Sequence, residues 1–389
     1  MYLTPVFLIL TFLILSGMKR FAFILALVFV LTGTGYGQTT VVDSIQSDGV
    51  WRRFRVYVPT GFGTGRALIL NMHGLGSNAT DQQAYSNFKP IADTAGFLMV
   101  YPQGLSFSGT TYWNAGVPGT PPTDDVKFLS ALIDTMQRRY GTDRQRVFAT
   151  GMSLGGYMSY YLACKLPQKI AAIASVTGTM FSAEAASCTP GRPVPVMQVH
   201  GTADATVPYT GSNSGIAIDS LVAMWVRLNG CNPTPVQTPI ANSNTTDNST
   251  ADHFVYGGGT RGATVEFYKV YGGGHTWPGA VNIGLTTNQD FSASKEIWRF
   301  FSQYRLGQLL SVSGIPAAGR EVAIGPNPFR DELHIDAQDG GLNTLRDIIG
   351  RTVIKTTSTR LDVRGLPAGL YLLERQVQGE RKVFRVVKE

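Results

Sequence analysis

The chain has 389 residues, of which 43% are hydrophobic and 15% charged. That balance suits a large buried core with room for a second small domain, and it excludes a disordered chain. The net charge of +7 is dispersed, with +2 in residues 1–37, +3 in 38–319 and +2 in 320–389. No basic stripe stands out, so nucleic acid is not an expected partner.

Two apolar runs open the sequence, at 2–16 and 21–31, separated by Gly17, Met18, Lys19 and Arg20. The second run follows a basic pair and leads to small residues before Gln38, which is the grammar of a secretory signal. Residues 1–37 are therefore read as a leader, with Met18 as the start. A membrane anchor beginning at Met1 is the competing reading, but its run of about 15 residues with Pro5 inside is short for a span.

Residues 39–45 and 51–58 flank the turn signal Ser47-Asp48-Gly49 and read as a hairpin, with Phe54, Val56 and Val58 alternating against Arg53, Arg55 and Tyr57. Beyond it the pattern changes. Residues 67–74 form a continuous apolar strand, 81–96 look helical, and 97–104 form another strand. A helix over 123–141 places Val126, Leu129, Ile133, Met136 and Tyr140 on one face, with Thr123 as its expected N-cap. Apolar strands recur at 146–151, 170–176 and 194–201. Such alternation predicts an α/β fold with a mostly parallel sheet covered on both faces, whose ligand site lies at the carboxyl ends of the strands.

One such end carries Gly151-Met152-Ser153-Leu154-Gly155, a match to G-x-S-x-G. The pattern alone is weak, because a chain this rich in glycine matches it by chance about one time in three. Its context is what the motif requires, a short buried strand before the serine and a helix after it. In that helix Tyr157, Tyr160, Tyr161 and Cys164 share helical spacing, and Pro167 ends it.

A serine nucleophile needs a base, and the base needs a carboxylate to fix its tautomer. Only five histidines exist. His73 follows an early strand, where its backbone is of more use than its ring; His200 packs at a strand end; His334 lies in the tail; His253 adjoins a polar stretch read as a surface loop. His275 remains, after three glycines and a strand. Asp204 follows a strand end and precedes His275, and the order Ser153, Asp204, His275 is that of an α/β-hydrolase triad. Asp219, Asp247 and Asp252 follow no strand directly. The oxyanion of acyl transfer needs aimed N–H donors, and the backbone amides of Leu154 and Leu75 are expected to supply them. No metal or organic cofactor is called for.

Cys164, Cys188 and Cys231 have neither C-x-x-C spacing nor a histidine cluster nearby, so no zinc site is expected. In an exported protein one disulfide and one odd thiol is the simplest arithmetic. We take Cys164 with Cys188 as the pair.

The blocks "MHGLGSN", "YWNAG", "RVFATGMSLGGYMSYYLAC", "PVPVMQVHGTADATVPY" and "VYGGGHTWPG" resemble the polyhydroxybutyrate depolymerase-like esterases, which include feruloyl and acetylxylan esterases. The resemblance covers roughly residues 40–305. It implies a secreted serine esterase with Ser153, Asp204 and His275 at the catalytic positions and a disulfide matching Cys164 and Cys188. A partner for Cys231, which the family leads one to expect, is missing from "YGGGTRG".

Residues 320–389 resemble a second family, the C-terminal sorting domain of the bacterial type IX secretion system, through "IGPNPFRDELHI", "LDVRGLPAGLYLLE" and "RKVFRVVKE". Their short alternating strands predict a small Ig-like β-sandwich. The resemblance implies the secretion machinery as partner and a secreted or surface-attached bacterial protein. The expected organisation is a leader at 1–37, an α/β-hydrolase domain at 38–310, a linker at 311–319 and a sorting domain at 320–389. The expected activity is hydrolysis of polymer-linked carboxylic esters, foremost feruloyl or acetyl esters of plant polysaccharide, with polyhydroxyalkanoate second. Trp113 and Trp277 are candidate walls for the acyl or sugar group. A non-catalytic surface binder is the reading from another class.

Overall fold

The computed structural model describes residues 38–116, 123–213, 215–281, 283–307, 323–326, 328–336, 340–347, 351–377 and 380–389. The leader, the start at Met18 and the linker at 311–319 lie outside them. The chain divides into two compact units, Met1–Val312 and Ser313–Glu389.

The larger unit is built on a ten-stranded sheet. In chain order it contains β1 (Thr39–Ser47), β2 (Val50–Val58), β3 (Leu68–Met72), α1 (Ala79–Ser86), α2 (Lys89–Ala95) and β4 (Leu98–Pro102). A small hairpin of β5 (Leu105–Phe107) and β6 (Thr110–Tyr112) follows, then α3 (Asp125–Tyr140), β7 (Val147–Met152) and α4 (Leu154–Lys165). The rest is β8 (Ala172–Val176), α5 (Ser182–Ser187), β9 (Val196–Gly201), α6 (Ile218–Asn229), β10 (Val236–Pro239), β11 (Thr250–Tyr256), β12 (Val265–Tyr271) and α7 (Ala293–Phe301).

The spatial order is β1-β2-β4-β3-β7-β8-β9-β12-β11-β10. The six central strands from β4 to β12 run parallel, and antiparallel pairs close both edges. After β3 the chain moves outward to β4 and then returns to place β7 on the opposite side, so the winding reverses between β3 and β7. A crevice for ligand opens at such a reversal, at the carboxyl ends of the two strands. Each central strand feeds two cores. Leu68, Leu70 and Met72 of β3 join one cluster with α3, α4 and α6, whereas Ile69 joins the other with α2 and α7. Burial on both faces explains why these strands read as continuous apolar runs.

Several expectations need correction. The hairpin turn at Asp48 and Gly49 has two positive φ angles, 51° and 75°, as a tight two-residue connection demands. Tyr57, however, does not face solvent: α2 covers its side of β2, and its hydroxyl donates to Asp93 Oδ1 at 2.6 Å. The helical stretch after β3 is two helices, broken at Asn87, where φ is 44°. The N-cap of α3 is Asp124, whose carboxylate accepts from the Lys127 amide at 2.8 Å, and not Thr123.

Cys164 in α4 is joined to Cys188, just past α5, while Cys231 is a buried free thiol that donates to Ala263 O at 3.4 Å. Burial pushes that thiol's pKa up to about 11, so it behaves as a small apolar group.

The smaller unit contains β13 (Ala323–Gly325), β14 (Glu332–Asp336), β15 (Leu342–Asp347), β16 (Thr352–Thr356), β17 (Arg360–Asp362), β18 (Gly369–Val377) and β19 (Glu380–Lys388). They form a three-stranded sheet, β13-β14-β17, and a four-stranded sheet, β16-β15-β18-β19, both antiparallel. Phe329, Leu333, Ile335, Leu345, Leu373 and Val386 form their shared core.

The disulfide closes a separation of 24 residues. Replacing both cysteines by serine should lower stability by about 3 kcal/mol and the melting temperature by roughly 5–10 °C, read by calorimetry of the oxidised parent and the variant. Equal melting temperatures would show that the bridge constrains nothing the core does not already hold.

Candidate active site

Ser153 lies between β7 and α4 with φ 55° and ψ −123°, a positive φ that a serine adopts only under constraint. The constraint is close backbone packing. A Cβ on Gly155 would stand 2.1 Å from Met72 O, and one on Gly151 would stand 2.6 Å from both Met72 O and Gly155 O. Only glycine permits that approach, which brings the first turn of α4 against the end of β3. The Ser153 amide donates to Val176 O at 2.9 Å, which ties the turn to β8.

The end of β3 runs directly into His73-Gly74-Leu75-Gly76. Gly74 faces the serine, since a Cβ there would lie 3.3 Å from Ser153 Cβ and 3.8 Å from Oγ. The amides of Leu75 and Leu154 donate no hydrogen bond among the described residues. They are the two expected oxyanion donors, and Leu154 adds the positive end of a helix.

His73 contributes more than its backbone. Its Nδ1–H donates to Gly74 O at 2.7 Å, and its Nε2 accepts from the Gly104 amide at 3.0 Å. Its own carbonyl accepts from Trp113 Nε1 at 2.9 Å. Burial lowers its pKa to about 4, so the ring is a neutral staple for the turn.

Asp204 follows β9 and His275 follows β12, two strands in register beside each other. His275 Nδ1 donates to Asp204 Oδ2 at 2.8 Å, and Asp204 Oδ1 accepts from the amides of Thr206 and Val207 at 2.9 and 2.8 Å. The acid is buried and the imidazole partly open, with its Nε2 unbonded among the described residues. Ser153 Oγ is likewise unbonded among the described residues. Catalytic bonds of this kind are often long before substrate binds. The structure thus joins Asp204 to His275, sets Ser153 beside the turn that follows β3, and places all three at carboxyl ends of the sheet.

The two tryptophans are not a substrate wall. Trp113 is fully buried against His73, with ring centroids 5.1 Å apart, and its N–H is spent on His73 O. Trp277 is buried against Phe88, and its Nε1 donates to Ser294 Oγ at 3.0 Å. Both pack the scaffold, because each indole N–H needs a buried acceptor that the fold supplies. The apolar side chains exposed nearby are Leu75, Phe107 and Leu285. Phe107 belongs to the β5–β6 hairpin, which is tied to the oxyanion turn by Gly76 N donating to Thr111 O at 2.8 Å. Leu285 packs at Gly274, next to His275.

His253, which adjoins the stretch read as a surface loop, lies inside β11, stacked on Tyr268 and bonded to Glu266 at 2.8 Å. His200 is buried in β9, as expected, but with partners that periodicity could not disclose. These are Gln198 on its own strand, itself bonded by Tyr160 across on α4, and the carbonyl of Val207.

A serine on a positive-φ turn between a parallel strand and a helix, with a bonded acid and histidine two and three strands further on, defines the architecture. The larger unit has the α/β-hydrolase fold. Residues 123–220 match the phospholipase/carboxylesterase family model. Residues 323–389 match the secretion system C-terminal sorting domain, and the protein is accordingly exported, secreted or held at the cell surface.

The chain is 29% identical over 276 residues to a bifunctional acetylxylan esterase/xylanase of Neocallimastix patriciarum, covering 71% of this chain and 36% of that protein. It is 28% identical to feruloyl esterase B of Piromyces equi, covering 58% of this chain and 42% of the relative. The chain therefore spans less than half the length of either. Among solved structures, an acetyl xylan esterase from Aspergillus awamori superposes with a TM-score of 0.50 at 16% identity, over 67% of this chain and 99% of that one. That likeness is one of fold.

The burial of His73 has a consequence in acid. An unfolded histidine titrates near 6.5, so between about pH 6.5 and 4 the unfolded chain binds the extra proton. Stability from this group is complete above pH 6.5 and lost as pH falls toward 4, by up to about 3 kcal/mol. His73→Gln should be less stable at pH 7 but should show a shallower fall in urea-unfolding free energy from pH 6.5 to 4. Parallel slopes for parent and variant would refute the buried neutral ring.

Proposed function

We propose that the protein is an exported serine carboxylic ester hydrolase acting on feruloyl or acetyl esters of polysaccharide. The observation that carries the reading is the constrained turn at Ser153, facing Gly74 on one side of the winding reversal and followed in chain order by the bonded Asp204–His275 pair.

Ser153 Oγ attacks the ester carbonyl carbon while His275 Nε2 takes the hydroxyl proton. The carbonyl oxygen becomes an oxyanion held by the Leu75 and Leu154 amides. The intermediate collapses, the C–O bond to the alcohol breaks, and His275 returns the proton to that alcohol. Water then attacks the acyl-serine with His275 again as base, releasing the carboxylic acid and restoring Ser153. Asp204 holds the imidazole with Nδ1 protonated and offsets its charge in each half-reaction.

The named activities of the acetylxylan and feruloyl esterase relatives support the substrate class, as does export. Exposed Leu75, Phe107 and Leu285 beside the site suit an apolar acyl group such as a phenolic acid.

The test is hydrolysis of p-nitrophenyl acetate, methyl ferulate and a hydroxybutyrate oligomer by the protein and by Ser153→Ala. Turnover of the acetate or ferulate, lost about 10⁴-fold or more in the variant, is expected. Preference for the oligomer would move the substrate class to polyhydroxyalkanoate. A folded protein with no serine-dependent turnover of any ester would leave a surface binder.

A further inference from the structure

Behind Asp204 runs a buried polar chain that the reaction itself does not use. Tyr160 O–H, on α4, donates to Gln198 Oε1 at 2.8 Å. Gln198 Nε2 donates to Gly178 O at 2.8 Å and lies 3.0 Å from His200 Nδ1. His200 Nε2 lies 2.9 Å from Val207 O and 3.5 Å from Asp204 Oδ2. All three side chains are fully buried.

Carbonyl oxygens only accept, and that fixes every proton. Gly178 O requires the nitrogen end of the Gln198 amide, so Gln198 presents a second N–H to His200 Nδ1. Val207 O requires Nε2–H. The imidazole is therefore satisfied as the Nε2–H tautomer from both sides. Burial also lowers its pKa, which agrees with a neutral ring. The charged or titratable groups facing it are Asp204, His275, the Tyr209 ring, and Lys269 opposite on β12, whose ammonium sits 4.7 Å over that ring.

We propose that His200 is a positioning residue for the triad, oriented by Gln198 and Tyr160, which clamps the turn that aims Asp204 at His275. The clamp acts through one residue. Val207 gives its amide to Asp204 Oδ1 and its carbonyl to His200 Nε2, so a single peptide segment connects the imidazole to the acid. A neutral donor in that place leaves the Asp204 charge to His275, whereas a cation would draw Oδ2 away from it. The inference rests on the proposed ester hydrolysis by Ser153, Asp204 and His275.

The test compares His200→Leu, which keeps bulk and removes the donor, with His200→Gln, whose amide N–H can replace Nε2–H. Steady-state kinetics on the ester the protein turns over best are normalised to sites titrated by a fluorophosphonate, and the downfield Nδ1–H resonance of His275 is followed by proton NMR. His200→Leu should lose about 10- to 100-fold in kcat with KM held within about twofold, as losses of orienting partners do. Its downfield resonance should move or broaden, and His200→Gln should restore most of both.

Tyr160→Phe, a milder change, should lower kcat by about 3- to 10-fold, the worth of one buried hydrogen bond. Unchanged kcat per titrated site in His200→Leu would overturn the proposal, as would a Gln variant no better than Leu. If His200→Leu does not fold, unchanged kcat in Tyr160→Phe overturns it instead. Ser153→Ala, run beside them, separates the failures: an active Ser153→Ala defeats the esterase reading, while an inactive one beside a fully active His200→Leu defeats only the clamp.

Discussion

The site depends on one close contact, the first turn of α4 lying against the last carbonyl of β3. With Gly155 too near Met72 O to bear a side chain, the chain turns sharply, and Ser153 takes a positive φ that exposes its hydroxyl. The same contact sets the start of a helix beside the turn that leaves β3. Two unpaired backbone amides thereby come to the side of one serine, with no side chain assigned to the task. Strain at such a residue persists only where surrounding structure determines it, and here three backbone strands and a helix do so.

Burial separates the histidines by role. His73 and His200 are wholly enclosed, and desolvation disfavours their charged forms, so His73 serves as a neutral connector between backbone groups and His200 between the Gln198 side chain and Val207 O. Two partly exposed rings each bond a buried carboxylate, His253 to Glu266 and His275 to Asp204, but Glu266 is also paired with Arg299, and only His275 follows a strand of the parallel core. The proposed base changes its charge during turnover, which full enclosure disfavours in His73 and His200. The sheet supplies the difference by length alone: His200 sits within β9, whereas His275 lies four residues past the end of β12.

Much of this was legible in the residues. Apolar runs separated by helical periods gave the parallel sheet, and chain order alone joined Asp204 to His275. What periodicity could not show was any contact between residues distant in sequence. Tyr57 alternated with polar neighbours, yet α2 packs over it; His253 followed a polar stretch, yet the sheet continues two strands past β12 in space and takes it into β11. Thr123 and Asp124 are both good capping residues, and only the backbone angle at Asp124 decides between them. The Tyr160 contact to Gln198, which in turn bonds His200, arises from α4 crossing β9, which no local pattern encodes.

The tryptophans show why shape and specificity separate in this fold. An aromatic next to a catalytic motif invites assignment to substrate, but an indole near a turn is also the largest filler available to hold that turn still. Trp113 holds the carbonyl of His73 and therefore the oxyanion turn; Trp277 reaches Ser294, which in turn bonds Ser86 O at the end of α1. Substitution at either would disturb these scaffold bonds first. Under the proposed ester hydrolysis, selection between esters falls to side chains outside that scaffold, such as Leu75 on the turn after β3, Phe107 on the β5–β6 hairpin and Leu285 on the loop after His275, all of which meet solvent.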